Sequence, residues 1–172
     1  MKKLFALLLL FTVKFSFSQE MAADKYYKDF QEKHSLDMVS VSSKMFSVFL
    51  QNRQGKEKEE LATILKKLTG LKVLSKDDSK NGLDLYNAAF PLMPADYETI
   101  LIMKETDRKA RFYTKEDKSG KITELVMIAF QWGRFLIVSI TGDIDLNDIL
   151  KLSQNLNLQG LDDVQKVRSE KQ

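Results

Sequence analysis

The sequence predicts an α+β fold, in which an antiparallel sheet with a C-terminal four-strand meander carries helices packed mainly on one face. The first observation is a pair of apolar runs, Leu125–Phe130 and Phe135–Ile140, around a short connector that contains Gly133. Runs rich in Val, Ile and Phe around such a connector are typical of a β-hairpin. Both faces of these runs are apolar, which predicts strands in the middle of a sheet covered on both sides. The second observation is that apolar residues follow a helical spacing early in the chain and alternate from Glu98 onwards.

The first half of the chain carries the helical pattern. The helix predicted over residues 57–68 is the clearest, because acidic residues fill its first turn and Lys66 and Lys67 lie in its last. Gly70 is expected to end it. Short strands are predicted at Leu36–Ser42 and Leu71–Ser75. Further helices are predicted over residues 22–33, after Ser42 or Ser43, and over residues 83–90 and 145–154.

The second half carries the strand pattern. Alternation predicts four successive strands, over residues 100–105, 110–115, 122–130 and 134–141. The connectors between them are short, and short connectors between neighbouring strands imply an antiparallel meander. Arg111, Tyr113 and Lys115 share one face of the second of these strands, which we therefore expect to be half-solvated.

The first residues have the pattern of a secretory leader. Lys2 and Lys3 precede the apolar run Leu4–Val13, and Ser16 and Ser18 are the small residues expected before a cut after Ser18. The run is shorter than the roughly 20 residues of a transmembrane helix. We therefore expect a signal peptide at 1–18, a single α+β domain at 19–160 and a frayed tail at 161–172. The protein would be exported, and periplasmic or secreted after cleavage.

Charge and cysteine content narrow the classes of partner. Lys2, Lys3 and Lys14 of the leader account for the whole excess of 27 basic over 24 acidic residues. A mature chain without net positive charge does not favour nucleic acid. The absence of cysteine excludes a disulfide framework, thiolate metal sites and a lipoprotein anchor. No transmembrane span is expected after leader removal, no cofactor is indicated, and the oligomeric state stays open.

Catalytic patterns are sparse. His34 is the single histidine, and we expect it to complement a helix end rather than to serve a triad or a metal. Ser42, Ser43 and Lys44 are reminiscent of lysine-activated serine nucleophiles, but the spacing does not match the serine-x-x-lysine motif. Capping of the following helix explains these serines better.

The strongest metal candidates are Asp143, Asp145 and Asp148, which follow the last predicted strand. Oxygen ligands so spaced suit Ca²⁺ or Mg²⁺. The pattern lacks the glycine and the distal glutamate of an EF-hand loop. Asp145 and Asp148 are instead expected to cap the last helix, and Gly142 to permit the turn into it.

Trp132 is the best single candidate for a partner contact, because it lies at the predicted hairpin tip. A tryptophan folded back over the strand ends is the alternative. With Trp132, the predicted binding residues are Arg111, Tyr113 and Lys115.

Two segments resemble a known family. Val39–Phe46 contains Ser42-Ser43-Lys44-Met45, and Phe135–Leu146 contains Ser139-Ile140-Thr141-Gly142-Asp143-Ile144. With the leader, they resemble a family of exported proteins of Bacteroidetes, catalogued as the domain of unknown function numbered 4252. The resemblance spans Asp24–Gln154 and implies no catalytic residue, since no activity is established for the family. Members encoded near sigma-factor regulators imply a link to envelope signalling.

These observations favour an exported, non-catalytic binding or regulatory module of the bacterial envelope, with an envelope protein as partner. The alternative is a metal-dependent or serine hydrolase of the periplasm that uses Asp143, Asp145 or Ser42. A structural or adhesion role is a third possibility.

Overall fold

The computed structural model describes residues 21–51, 54–77 and 80–156. Its strands are β1 (Asp37–Ser42), β2 (Leu68–Asp77), β3 (Glu98–Lys104), β4 (Arg108–Glu116), β5 (Ile122–Gln131) and β6 (Arg134–Ile144). Its helices are α1 (Ala22–Lys25), α2 (Lys28–His34), α3 (Ser43–Phe49), α4 (Gly55–Leu65), α5 (Gly82–Ala89) and α6 (Leu146–Leu156). A single 3₁₀ turn, Phe90–Leu92, follows α5. The predicted leader and the predicted tail lie outside the described residues.

The six strands form one antiparallel sheet in the order β1–β2–β6–β5–β4–β3. Strands β3 to β6 follow one another as a meander, so the predicted α+β class and four-strand meander are confirmed. The hairpin β5–β6 occupies the centre of the sheet, because β2 pairs with the free side of β6. Strands β1 and β3 form the two edges.

Helices cover both faces of the sheet, so the prediction that they pack mainly on one face is wrong. Leu125, Met127 and Ala129 of β5 pack into a core with residues of α3, α4 and α6, on what we call the α4 face. Val126 and Ile128 point the opposite way, into a core with residues of α1, α2 and α5, on the α5 face. Side chains alternate along a strand, so a strand with two apolar faces needs both layers.

Two predicted helices differ from those observed. The helix predicted over residues 22–33 is interrupted between α1 and α2, where the hydroxyl of buried Tyr27 donates to the carbonyl of Ala89 at 3.2 Å. The helix predicted over residues 57–68 ends at Leu65, and Leu68 already begins β2. Gly70 therefore lies inside a strand rather than at a helix end. A Cβ added at Gly70 would lie 3.4 Å from the Thr141 hydroxyl oxygen.

Within the described residues, no helix combines the length and the apolar character needed to cross a bilayer.

Candidate binding surface and a buried polar network

The turn between β5 and β6 holds an aromatic residue in an unfavourable backbone conformation. Gln131 pairs with Arg134, so Trp132 and Gly133 form a two-residue turn with φ values of 48° and 78°. Positive φ at both positions is the pattern of a type I′ turn, which favours Asn-Gly. A bulky side chain at positive φ is an outlier, and such strain is found preferentially at functional sites.

The Trp132 side chain faces solvent. It is 58% exposed, so the alternative of a tryptophan folded back over the strand ends does not apply. The guanidinium of Arg108 lies 5.2 Å from the centre of its ring, within the range of a cation–π contact. The turn therefore presents a large aromatic surface whose orientation is supported by a neighbouring strand.

Arg111 lies on the α5 face of β4, where its guanidinium stacks 4.0 Å from the centre of the Phe90 ring. Burial raises the pKa values of Tyr86 and Tyr113, and the adjacent Arg111 partly offsets both shifts. The buried Nε of Arg111 has no hydrogen-bond partner within the described residues. Arg111 is thus a half-buried cation held between aromatic side chains.

Tyr113 is not on an open face, so the expectation of a half-solvated strand is wrong at this residue, although Arg111 and Lys115 on the same face are partly exposed. Tyr113 is buried in the α5-face core. Lys115 is partly exposed, and its ammonium lies 2.8 Å from a carboxylate oxygen of Asp96 and 5.0 Å from the Tyr97 ring. Helix α5 and the segment after it cover this part of the sheet, which the strand pattern alone could not indicate.

A buried polar network on the same face was missed by the sequence analysis. Glu124 of β5 is fully buried and accepts three hydrogen bonds. The Ala22 N–H donates to Oε1 at 2.7 Å, the Tyr97 hydroxyl donates to Oε2 at 2.6 Å, and the Ser139 hydroxyl donates to Oε1. An ionised carboxylate is an acceptor only, so three donors suit it. Burial raises the pKa of Tyr97, and the hydrogen bond to Glu124 adds to that shift.

An ion pair borders this network. Lys72 of β2 lies opposite Ser139 and is buried, and its ammonium is bonded to the carboxylate of Asp24 in α1. Together with Glu124, this pair ties α1 to the centre of the sheet. The sequence contains one indication that Glu124 is buried, since alternation places it on the same strand face as Val126 and Ile128.

The candidate nucleophile and the candidate base are far apart. His34 ends α2 before β1, whereas Ser42 ends β1, and six strand residues span on the order of 20 Å. Ser42 occupies the N-cap position of α3, as predicted, although its hydroxyl makes no capping hydrogen bond. Burial lowers the pKa of His34, and the charges of Lys33 and Lys76 lower it further.

The three aspartates after Gly142 each have a protein partner. Asp145 accepts from the Asn147 N–H at 2.7 Å, as expected for a helix cap, and this bond holds the pKa of its carboxyl below the ordinary value. Asp148 pairs with Lys67 at 2.7 Å, and Asp143 lies 3.5 Å from the Lys121 ammonium. Among the described residues, no group of three or more histidine, cysteine, aspartate or glutamate side chains is placed to hold a metal.

Fold and surface define a class: one antiparallel six-stranded sheet between two helical layers, with an aromatic turn exposed at one end. A family model described as a domain of unknown function (DUF4252) matches residues 26–152, so the chain belongs to that family. No curated protein and no solved structure matches the chain.

Proposed function

We propose that this protein is an exported, non-catalytic binding or regulatory module of the envelope of a Bacteroidetes bacterium, and that it binds an envelope protein. The observation that carries the proposal is Trp132, which is 58% exposed and held at positive φ in a turn where Asn would be favoured. Exposed aromatic side chains are enriched among the residues that dominate binding energy at protein interfaces. A link to envelope signalling is part of this proposal.

The placement of the candidate nucleophile and base supports the non-catalytic part of the proposal. A serine hydrolase needs its base within hydrogen-bond distance of the nucleophile, and His34 and Ser42 lie at opposite ends of β1. The aspartates at 143, 145 and 148 are engaged by an amide or by lysines. No observation therefore favours the periplasmic hydrolase.

The binding role is tested with Trp132→Ala. Ala keeps a Cβ at the positive φ, so we expect the thermal midpoint to stay within about 2 °C of the wild-type value, since exposed substitutions usually change stability by less than about 0.5 kcal/mol. The matched control is Val39→Ala, because Val39 is also 58% exposed but lies on the edge strand β1 rather than in the β5–β6 turn.

The measurement is quantitative capture of envelope proteins on the immobilised full chain, followed by mass spectrometry. A protein retained by the wild type and by Val39→Ala but lost with Trp132→Ala would support the proposal. Equal retention by all three forms would contradict it. A large fall in the midpoint of Trp132→Ala would assign the residue a packing role instead.

Export is tested separately, by N-terminal sequencing of the protein recovered outside the cytoplasm. A chain that begins at Gln19 supports cleavage after Ser18, and recovery of the full-length chain from the cytoplasm alone would contradict export.

A further inference from the structure

The edge hairpin β3–β4 places like charges directly opposite each other. Lys104 of β3 and Lys109 of β4 are cross-strand partners, and Ile102 and Arg111 form the next pair on the same face. Directly opposed like charges destabilise an antiparallel pair. By this register, Lys104, Lys109 and Arg111 lie next to one another on the α5 face, and we call these three cations the basic corner.

Within the described residues, no carboxylate forms an ion pair with any cation of the basic corner. Two acidic residues lie in the turn between β3 and β4. A carboxylate oxygen of Glu105 lies 3.9 Å from Nε of Arg108, and Asp107 lies at the tip of the turn. The corner is bordered by apolar surface, because Ile102 is 46% exposed and Arg111 stacks on Phe90.

Protection of the sheet edge explains only part of the basic corner. Charged side chains on edge strands discourage aggregation, and Lys104 fits that role. Lys109 and Arg111 lie on β4, one strand in from the edge, where such protection is not needed. We expect the opposed Lys104 and Lys109 charges to lower folding stability, and an anionic ligand would relieve their repulsion.

We propose that the basic corner binds an extended acidic segment of a partner protein, which pairs as an added strand with the outer edge of β3. This inference rests on the proposed binding function and names the chemistry of the partner. Within the described residues, no strand pairs with that edge of β3. Side chains alternate along an added strand, so carboxylates at every second position would face the corner. The residues between them would lie on the α4 face, beside buried Leu101 and Met103.

The probe is a synthetic octapeptide of alternating glutamate and valine with blocked ends, and its twin carries glutamine in place of glutamate. Binding to the full chain is measured by isothermal titration calorimetry at low and at high salt. We expect the acidic peptide to bind more tightly than its twin, and the difference to shrink at high salt because solvent-exposed charges are screened.

The test variant is Lys104→Gln/Lys109→Gln, which should weaken binding of the acidic peptide about tenfold, as expected for two partly exposed ion pairs. Its thermal midpoint should equal or exceed that of the wild type, because the opposed charges are gone. If Lys104 and Lys109 had only a structural role, the variant would not bind the acidic peptide more weakly while its thermal midpoint stays the same or rises. The control is Lys56→Gln/Lys118→Gln, which removes two exposed lysines outside this hairpin and should leave binding unchanged.

Amide chemical-shift changes should map to residues 98–104 of β3, rather than to the other edge strand, β1. Equal affinity for the two peptides, or unchanged affinity in Lys104→Gln/Lys109→Gln, would overturn the proposal. Complete competition by inorganic phosphate at equal concentration would also overturn it, because it would indicate a site for small anions. If Trp132-dependent capture persists while the acidic peptide does not bind, this inference fails and the proposed function stands.

Discussion

The backbone of Gly142 in β6 lies against the backbone that joins α4 to β2. A Cβ at this position would lie 2.3 Å from the Lys67 carbonyl oxygen and 2.7 Å from the Leu68 Cα. Both neighbours are main-chain atoms, and the Lys67 carbonyl also accepts a hydrogen bond from the Asp143 N–H at 2.9 Å. The backbone of Gly142 has φ of 146°, which side-chain-bearing residues rarely adopt. Glycine at this position thus allows a close approach of two chain segments, and does not make the predicted turn into the last helix.

Gly142→Ala should therefore destabilise the protein strongly. The unfavourable φ contributes about 1 kcal/mol, and overpacking against rigid backbone contributes roughly 1–3 kcal/mol more. The total is about 2–4 kcal/mol, which corresponds to a fall of roughly 7–15 °C in the thermal midpoint of a domain of this size. Urea unfolding followed by circular dichroism would give the free-energy difference directly.

Gly120→Ala is the matched control for this substitution. Gly120 also has a positive φ, of 82°, but an added Cβ would meet no atom within 4 Å. It should therefore lose only about 1 kcal/mol. Equal losses in the two variants, or a loss below about 0.5 kcal/mol for Gly142→Ala, would refute the close-approach explanation.

Two further substitutions address buried and titrating groups. Glu124→Gln should destabilise by about 1–3 kcal/mol, because three hydrogen bonds to a carboxylate become bonds to a neutral amide whose NH₂ group cannot accept one of them. Glu116→Gln, at an exposed position, should be neutral. Equal effects of the two substitutions in urea unfolding would contradict the role of the network. Burial lowers the pKa of His34 from 6.5, so the unfolded state takes up the proton first and stability should decline as the pH falls below 6.5. The wild-type protein should lose more free energy of unfolding between pH 7.5 and 5.5 than His34→Gln. A wild-type protein that becomes more stable on acidification would contradict this prediction.

The strands were predictable because their signal is local. In β5 and β6, uninterrupted apolar runs around a Gly-containing connector identified the central hairpin. The same signal indicated that both faces are covered, but nothing in the spacing of α4 or α5 indicates which face each helix takes. The face that each helix covers depends on how the chain crosses the sheet, and the local spacing of apolar residues does not indicate this.

The misplaced helix boundary has a similar physical cause. A glycine just after an apolar helical stripe is typical of a helix end, yet Gly70 lies in a strand close to Thr141 and the Met21 side chain. Both partners come from distant parts of the sequence. The partners of Glu124 were equally hidden, because a glutamate in an apolar alternation shows which face it is on but not what it bonds.

The hydrogen bond between Ala22 and Glu124 joins residues that are 102 positions apart. Strand β2 likewise pairs with a strand that comes much later in the chain, since Leu68 of β2 lies opposite Gly142 of β6. A chain that leaves the ribosome with its N-terminus first therefore exposes β1 and β2 without their central neighbour until almost the whole domain has been synthesised. Such non-local closure slows folding, because the entropy of closing the intervening chain is lost before the contacts form.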